Sequence, residues 1–188
     1  ALAVTAVADD ITYGDVAPTV TVEYSGFVNG EDATVLDDTG FDLGTDYSQF
    51  DAVDTYNTTI AIGTAEDNNY NFTPLNTSTF EVGQKALTVT ADNQSKTYGD
   101  SFTFDGTEFT TSGLVSSDAV SSATITSAGA AATATVDGSP YAINISSASG
   151  TGLANYDISY VAGSFAVGKK ALAVTAVADD ITYGDVAP

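Results

Sequence analysis

The sequence predicts a mostly β protein made of two similar modules and the opening of a third, with little helix. Three observations support this prediction. Apolar residues alternate with threonine or acidic residues in short runs, turn residues separate these runs, and one 18-residue segment occurs twice without change. Alternation with period two is typical of strands that bury one face, and β-branched and aromatic residues favour such strands.

The internal repeat indicates the domain organisation. Residues 1–18 recur letter for letter at 171–188, and a diverged copy begins at Ala86. Because the third opening copies the first module, we expect a 170-residue unit within a longer polypeptide. The expected division is an acidic module at 1–84, a second module at 85–169, and at 170–188 the opening strand and turn of a third.

The strand predictions follow the alternation along the chain, with turn clusters such as Asn29-Gly30 between them. We expect each module to form a sheet that is covered on one face. The sequence leaves room for a helical turn or two only in stretches such as Tyr47–Val53 or Ser116–Ser122. The predicted strands are Val20–Tyr24, Ile60–Ile62, Leu87–Thr90, Thr133–Asp137, Tyr141–Ile145 and Ser164–Val167.

The composition excludes several classes of function. The chain has 25 acidic residues, four lysines, no arginine and a formal net charge of -21, and it lacks histidine, cysteine, methionine and tryptophan. Histidine-based triads, thiol nucleophiles, haem ligation and disulfides are therefore excluded. The charge disfavours nucleic acid and anionic lipid, and no apolar run is long enough to insert into a membrane. We expect a protein that is not an enzyme.

The triplet Tyr-Gly-Asp occurs three times, each time after an alternating segment. Glycine tolerates the backbone of a tight turn, and an aspartate side chain can bond to nearby backbone. We therefore expect a structural turn in which the tyrosine packs across a module edge. The residues of this motif are Tyr13, Gly14, Asp15, Tyr98, Gly99, Asp100, Tyr183, Gly184 and Asp185.

The first module carries fifteen acidic residues and no basic residue. Oxygen ligands in a loop punctuated by glycine suit Ca²⁺, which accepts irregular geometry. The candidate calcium ligands are Asp37, Asp38, Asp42 and Asp46. The alternative is a solvated acidic face that keeps the protein soluble, and no other cofactor is expected.

The segment Leu87–Asp100 resembles the opening of the MBG repeats, the "mostly beta-grasp" modules with a Tyr-Gly-X signature. Ser112–Leu114, Asn155–Ile158 and Ser164–Val167 are also similar to that family's pattern, and the first module matches it less closely. The resemblance implies β-grasp-like modules from long tandem-repeat surface proteins and adhesins of bacteria. It implies no catalytic residues.

The junctions between modules are very short, so we expect consecutive modules to touch end to end in a semi-rigid rod. The primary hypothesis is a structural segment of an extracellular bacterial protein, located at the cell surface or secreted. It would form an extended adhesin stalk or a surface fibre. Its partners would be neighbouring copies of the same repeat in a longer chain.

Three alternatives stay open from the sequence. A carbohydrate- or protein-binding module would need an exposed aromatic platform, for which Tyr47, Phe50 and Tyr56 are the candidates. Strand 171–177 could instead join another copy, so that a filament assembles by β-strand addition. A covalent crosslink from Lys85 or Lys170 is the third alternative.

Overall fold

The computed structural model describes residues 1–177, 180 and 182–184. It contains two copies of one seven-stranded arrangement. The strands of the first module are β1 (Leu2–Val7), β2 (Ile11–Thr12), β3 (Thr21–Ser25), β4 (Asp42–Thr45), β5 (Thr55–Ala61), β6 (Phe72–Asn76) and β7 (Thr79–Gly83). Those of the second are β8 (Lys85–Ala91), β9 (Gln94–Thr97), β10 (Phe109–Ser112), β11 (Ala119–Thr126), β12 (Tyr141–Thr151), β13 (Tyr156–Val161) and β14 (Gly163–Gly168).

Each module folds into two sheets with the same strand order. The three-stranded sheets run β3-β1-β6 and β10-β8-β13, and the four-stranded sheets run β2-β7-β5-β4 and β11-β12-β14-β9. In both three-stranded sheets the central strand is antiparallel to one neighbour and parallel to the other. The prediction of two mostly β modules is confirmed. Each module has two sheets, rather than the single covered sheet that the sequence led us to expect.

The alternation of the sequence determines which face of the central strands is buried. In β1, Leu2, Val4 and Ala6 are buried, while the residues between them are half-buried. Strand β8 repeats the pattern with Leu87 and Val89 fully buried. The opening strand of each module is thus its central strand, which is why it carries the strongest alternation.

Helical structure in the described residues is limited to three short 3₁₀ helices, at Ala33–Val35, Ala128–Ala130 and Leu153–Asn155. The two predicted helical turns are wrong. Tyr47–Val53 forms turns, and most of Ser116–Ser122 belongs to a turn and to β11. Strand β11 pairs with the next strand, β12, and this pairing overrides the local preference. No helix in the described part of the chain is long and apolar enough to span a bilayer.

The predicted strand Thr133–Asp137 is also wrong, because this segment forms turns. The Tyr141 hydroxyl accepts a hydrogen bond from the Thr135 amide at 2.9 Å and donates to the Thr135 carbonyl at 3.0 Å. A side chain therefore takes the place of a neighbouring strand as the partner of this backbone.

The buried cores of the two modules join. One cluster of buried side chains contains most of the second module's core together with Tyr13, Tyr47, Phe80 and Val82 of the first. A smaller cluster around Val4 belongs to the first module alone. Within the described residues, no strand pairing crosses from one module to the other. The modules therefore keep separate sheets and meet through side chains.

Candidate functional site

The Tyr-Gly-Asp motif forms the same turn wherever the structure describes it. Its glycine has a positive φ of 90° at Gly14, 92° at Gly99 and 101° at Gly184. A residue with a side chain is strained in this region, so the turn selects glycine. Asp185, the last residue of the third copy, lies outside the described residues.

The first two copies also share their backbone hydrogen bonds. The tyrosine amide donates to the last residue of the neighbouring strand, over 2.9 Å in both modules. The aspartate amide closes the turn by donating to the threonine carbonyl three residues earlier, at 3.0 Å for Asp15 and 3.1 Å for Asp100. The glycine and aspartate of these two copies thus lie in a hydrogen-bonded turn.

Tyr13 lies at the junction between the two modules. Its side chain is only 3% exposed, and its ring meets the ring of Tyr156 edge to face, with 5.5 Å between ring centroids. The hydroxyl groups of Tyr13 and Tyr156 both donate to the same carboxylate oxygen of Asp118, each over 2.8 Å. A tyrosine of the first module thus completes a hydrogen-bonded cluster of the second.

The environment of this cluster raises the pKa of both tyrosines. Burial, followed by the hydrogen bond and charge of Asp118, raises the pKa of Tyr13 from 10.0 to about 12. Burial is also the main cause that raises the pKa of Tyr156. Ionising either hydroxyl would remove a donor from Asp118 and place two negative charges side by side.

Gly14 makes the close approach possible. A Cβ atom added at Gly14 would lie 3.0 Å from Cγ2 of Val115, a residue of the second module. The Val115 amide in turn donates to the Tyr156 hydroxyl at 3.0 Å. Gly14 is therefore required both by its positive φ and by the closeness of the neighbouring module.

Three further hydrogen bonds cross the junction. The Val53 amide donates to the side-chain oxygen of Asn155 at 3.1 Å. The side-chain amide of Gln84 donates to the carbonyls of Ala154 and Tyr156, at 3.1 and 3.2 Å. Gln84 is the only residue between β7 and β8, so the connection itself is bound to the second module.

The other two motif tyrosines are not covered in this way. Tyr98 is 45% exposed and Tyr183 is fully exposed, compared with 3% for Tyr13. Among the described residues, only Tyr13 is followed by a second module whose seven strands are all present.

The predicted calcium ligands make local hydrogen bonds. Asp38 accepts from the Gly40 amide, and Asp46 accepts from the amide and side chain of Asn57, each at 2.8 Å. The hydrogen bonds from Asn57 lower the pKa of Asp46. Asp37 accepts from Asn68, and Asp42 begins β4. In the described part of the chain, no three acidic residues are placed to hold a metal ion. The calcium site stays a prediction.

The candidate aromatic platform is largely buried. The Tyr47 and Tyr56 rings lie 5.1 Å apart and both pack against Phe80. The Tyr47 hydroxyl donates to the Asp15 carbonyl at 2.9 Å, so this ring supports the turn. Only Phe50 has a largely exposed side chain, at 42%.

Sequence reasoning missed the residues that receive Tyr13, chiefly Asp118 and Val115. A signal was present, because each module has a Ser-Gly-apolar triplet followed by valine and, three residues later, by an acidic residue. This acidic residue is Glu31 in the first module and Asp118 in the second. Its meaning depends on a contact with a residue 105 positions away, which spacing alone does not reveal.

A family model described as MBG domain (YGX type) matches the chain twice, over residues 2–81 and 87–166. Each match contains one complete Tyr-Gly-Asp turn and all seven strands of a module, apart from a few terminal residues. No curated protein and no solved structure matches the chain. The two family matches together span most of the sequence, and the chain therefore belongs to the MBG domain (YGX type) family, with two domains in tandem.

Proposed function

We propose that the chain is a structural segment of an extracellular bacterial surface protein, forming part of an extended adhesin stalk or surface fibre. MBG domains occur in bacterial surface proteins, which supports this location. The segment holds neighbouring modules in a fixed orientation and performs no catalysis. Its partners are neighbouring repeats of the same protein, and it needs no cofactor.

The observation that carries the proposal is the burial of Tyr13 in the second module. A side chain buried across a junction, together with a one-residue connection, restricts both bending and twisting between modules. The hydrogen bonds of Gln84 and Val53 lie beside the tyrosine and oppose rotation about it. Force or extension applied at one module would thus pass to the next through packed side chains.

Small-angle X-ray scattering of an array of two 170-residue units tests this function. We expect a maximum dimension that grows in proportion to the number of modules. As a matched control, a flexible Gly-Ser insertion between Gln84 and Lys85 of each unit should broaden the distance distribution. If the array and the insertion variant scatter alike, the modules are hinged and the stalk function is wrong.

Assembly by β-strand addition is a second candidate, supported by one observation. Residues 171–177 have the same sequence as the segment containing β1, yet Leu172, Val174 and Val177 are 85 to 86% exposed. A second chain could use this segment as the central strand of its three-stranded sheet. Light scattering after size-exclusion chromatography distinguishes the candidates, because strand addition predicts oligomers that disappear when residues 171–188 are removed.

A further inference from the structure

We propose that the first module presents an unfilled copy of the surface that receives Tyr13, and that its occupant is the Tyr98-Gly99-Asp100 turn of the module preceding it in an array. The receiving surface is defined as the turn Val28–Glu31 together with Tyr70. The proposal rests on the proposed function, since it requires modules in succession.

The receiving turns of the two modules have the same backbone. Asn29 and Ser116 occupy equivalent positions and share an unusual positive φ, of 58° and 57°. The turn is closed by a hydrogen bond from the Glu31 amide to the Val28 carbonyl at 3.1 Å, and Asp118 closes the second module's turn in the same way at 3.3 Å. Non-glycine residues rarely adopt such a φ, so its occurrence in both turns indicates that the two turns have the same conformation.

The hydrogen bonds inside the receiving surface are also repeated. The Val28 amide donates to the Tyr70 hydroxyl at 3.1 Å, as the Val115 amide does to Tyr156 at 3.0 Å. The Tyr70 hydroxyl donates to the Glu31 carboxylate, as Tyr156 does to Asp118. The acid and tyrosine of the first module are thus already arranged as in the occupied junction.

This copy is more exposed in the structure than the occupied surface of the second module. Val28 is 57% exposed, while Val115 is half-buried beneath the first module. Glu31 and Asn69 are exposed, whereas their counterparts Asp118 and Asn155 are half-buried. The carboxylate of Glu31 is therefore accessible to a second hydroxyl donor, which is the position that Tyr13 fills on Asp118.

The second module carries the matching turn at its other end. Tyr98 is 45% exposed, and Gly99 has the φ of Gly14. The Lys96 ammonium donates to the Asp100 carbonyl at 2.8 Å. In the first module the Tyr47 hydroxyl donates to the equivalent carbonyl, that of Asp15, so a different side chain binds this carbonyl in each turn.

The order of modules brings this turn to the proposed surface. Because residues 171–188 copy residues 1–18, the chain after the second module opens as a module of the first type does. The Tyr98 hydroxyl would then donate to Glu31 of the following unit. Lys169 replaces Gln84 at this junction and likewise offers hydrogen-bond donors.

Disulfide trapping tests the contact, because the chain has no cysteine of its own. The occupied junction supplies a positive control: a Cβ at Gly14 would lie 3.6 Å from Cβ of Val115, within the range of about 3.5–4.5 Å found in disulfides. The test array of two units carries Gly99→Cys in the first unit and Val28→Cys in the second. A negative control replaces Val28→Cys by Ile62→Cys in the same module, where the native side chain is 46% exposed, compared with 57% for Val28.

We expect the 99–28 disulfide to form at the rate of the Gly14→Cys/Val115→Cys pair and at least about tenfold faster than the Ile62 control, because docking raises the effective concentration. A 99–28 pair that reacts no faster than the Ile62 control overturns the proposal. A stiff array without this disulfide overturns the contact and leaves the stalk function standing. If the disulfide forms but the array is freely hinged, the contact stands and the stalk function is wrong.

A second measurement avoids placing a cysteine at Gly99, where φ is positive. Tyr98→Phe in the first unit of the array should lower the denaturation midpoint, since that hydroxyl donates to Glu31 of the second unit. The same substitution in the last unit should leave the midpoint unchanged, because no complete module follows. Equal effects at the two positions overturn the proposal.

Discussion

At the scale of single residues, Asp118 organises the junction. Its carboxylate receives hydroxyl groups from Tyr156 of its own module and from Tyr13 of the preceding one. Every buried side-chain oxygen and nitrogen in the described part of the chain has a hydrogen-bond partner. Removing one donor therefore weakens a fully satisfied cluster, and the cost is expected to be measurable.

Tyr13→Phe removes one hydroxyl and keeps the ring. We expect the free energy of unfolding to fall by about 1.5–3 kcal/mol, the usual contribution of a hydrogen bond to a charged group. The matched control is Tyr98→Phe in the same 188-residue chain, where the ring is 45% exposed and the effect should stay within about 0.5 kcal/mol. Urea denaturation measures both, and an equal loss in the two variants would contradict the role of Tyr13.

The raised pKa of Tyr13 predicts how stability depends on pH. The folded protein holds the hydroxyl proton up to about pH 12, while the unfolded chain releases it near 10.0. Stability from this group is therefore fully present below pH 10 and is lost as the pH rises toward 12. Thermal unfolding measured between pH 9 and 11.5 should show a falling midpoint, with a smaller fall in Tyr13→Phe. A midpoint that falls equally in both proteins would assign the effect to other tyrosines.

At the scale of elements, the Ser-Gly turns after β3 and β10 bring a loop against the central strand. A Cβ at Gly113 would lie 2.3 Å from the Ala86 carbonyl oxygen, and φ there is 113°. Both the backbone conformation and the space exclude a side chain. This explains why a short Ser-Gly pair recurs in both modules.

Gly113→Ala should cost about 3 kcal/mol or more, at the upper end of single substitutions, because it combines strain with a backbone clash. Gly30→Ala separates the two causes, since Gly30 also has a positive φ, of 76°, but no atom within 4 Å of the added Cβ. We expect about 1–2 kcal/mol there, the cost of the left-handed conformation alone. Chemical denaturation of both variants measures the difference, and equal losses would show that the clash relaxes.

The segments 1–7 and 171–177 have the same sequence but different surroundings, so comparing them measures how much the neighbouring strands contribute to stability. Leu2 is fully buried in β1, which pairs with β3 and β6, whereas Leu172 is 86% exposed. Leu2→Ala should therefore cost about 2–5 kcal/mol, and Leu172→Ala at most about 0.5 kcal/mol. Thermal denaturation provides the comparison. A large loss from Leu172→Ala would show that the second segment is packed in solution.

The sequence was informative about elements and less so about contacts. Alternation correctly located five of the six predicted strands, because burial of one face imposes period two. It failed at Thr133–Asp137, where the Tyr141 hydroxyl satisfies the backbone. The helical turn expected at Ser116–Ser122 was wrong because pairing of β11 with β12 determines the structure there. The turn role of Gly14 and Asp15 was predictable from local chemistry. The partner Asp118 was not, because it depends on how two folded modules meet.

At the scale of the whole molecule, charge is distributed unevenly. All fifteen acidic residues of the first module lack a basic partner within that module, and the net charge of the chain is -21. Like charges destabilise a compact state, and salt screens them over about 10 Å at 0.1 M. We therefore expect added salt to stabilise the first module more than the second.

The calcium hypothesis makes a sharper prediction at this scale. Ca²⁺ should raise the thermal midpoint more than Mg²⁺ at equal ionic strength, because irregular oxygen sites suit the larger ion. Asp38→Asn together with Asp42→Asn should remove that difference, whereas Asp105→Asn in the second module should not. An equal response to the two ions would identify the acidic segment as a solvated face that is screened without specific binding.

The joined core also has a consequence for the order in which such a protein matures. The second module covers Tyr13, whereas Tyr98, which no complete module follows in the structure, is 45% exposed. During synthesis from the amino terminus, every newly completed repeat would therefore consolidate the one made before it. In an array, a repeat without a folded successor would be the least protected, so fraying and proteolysis should start there and advance one repeat at a time.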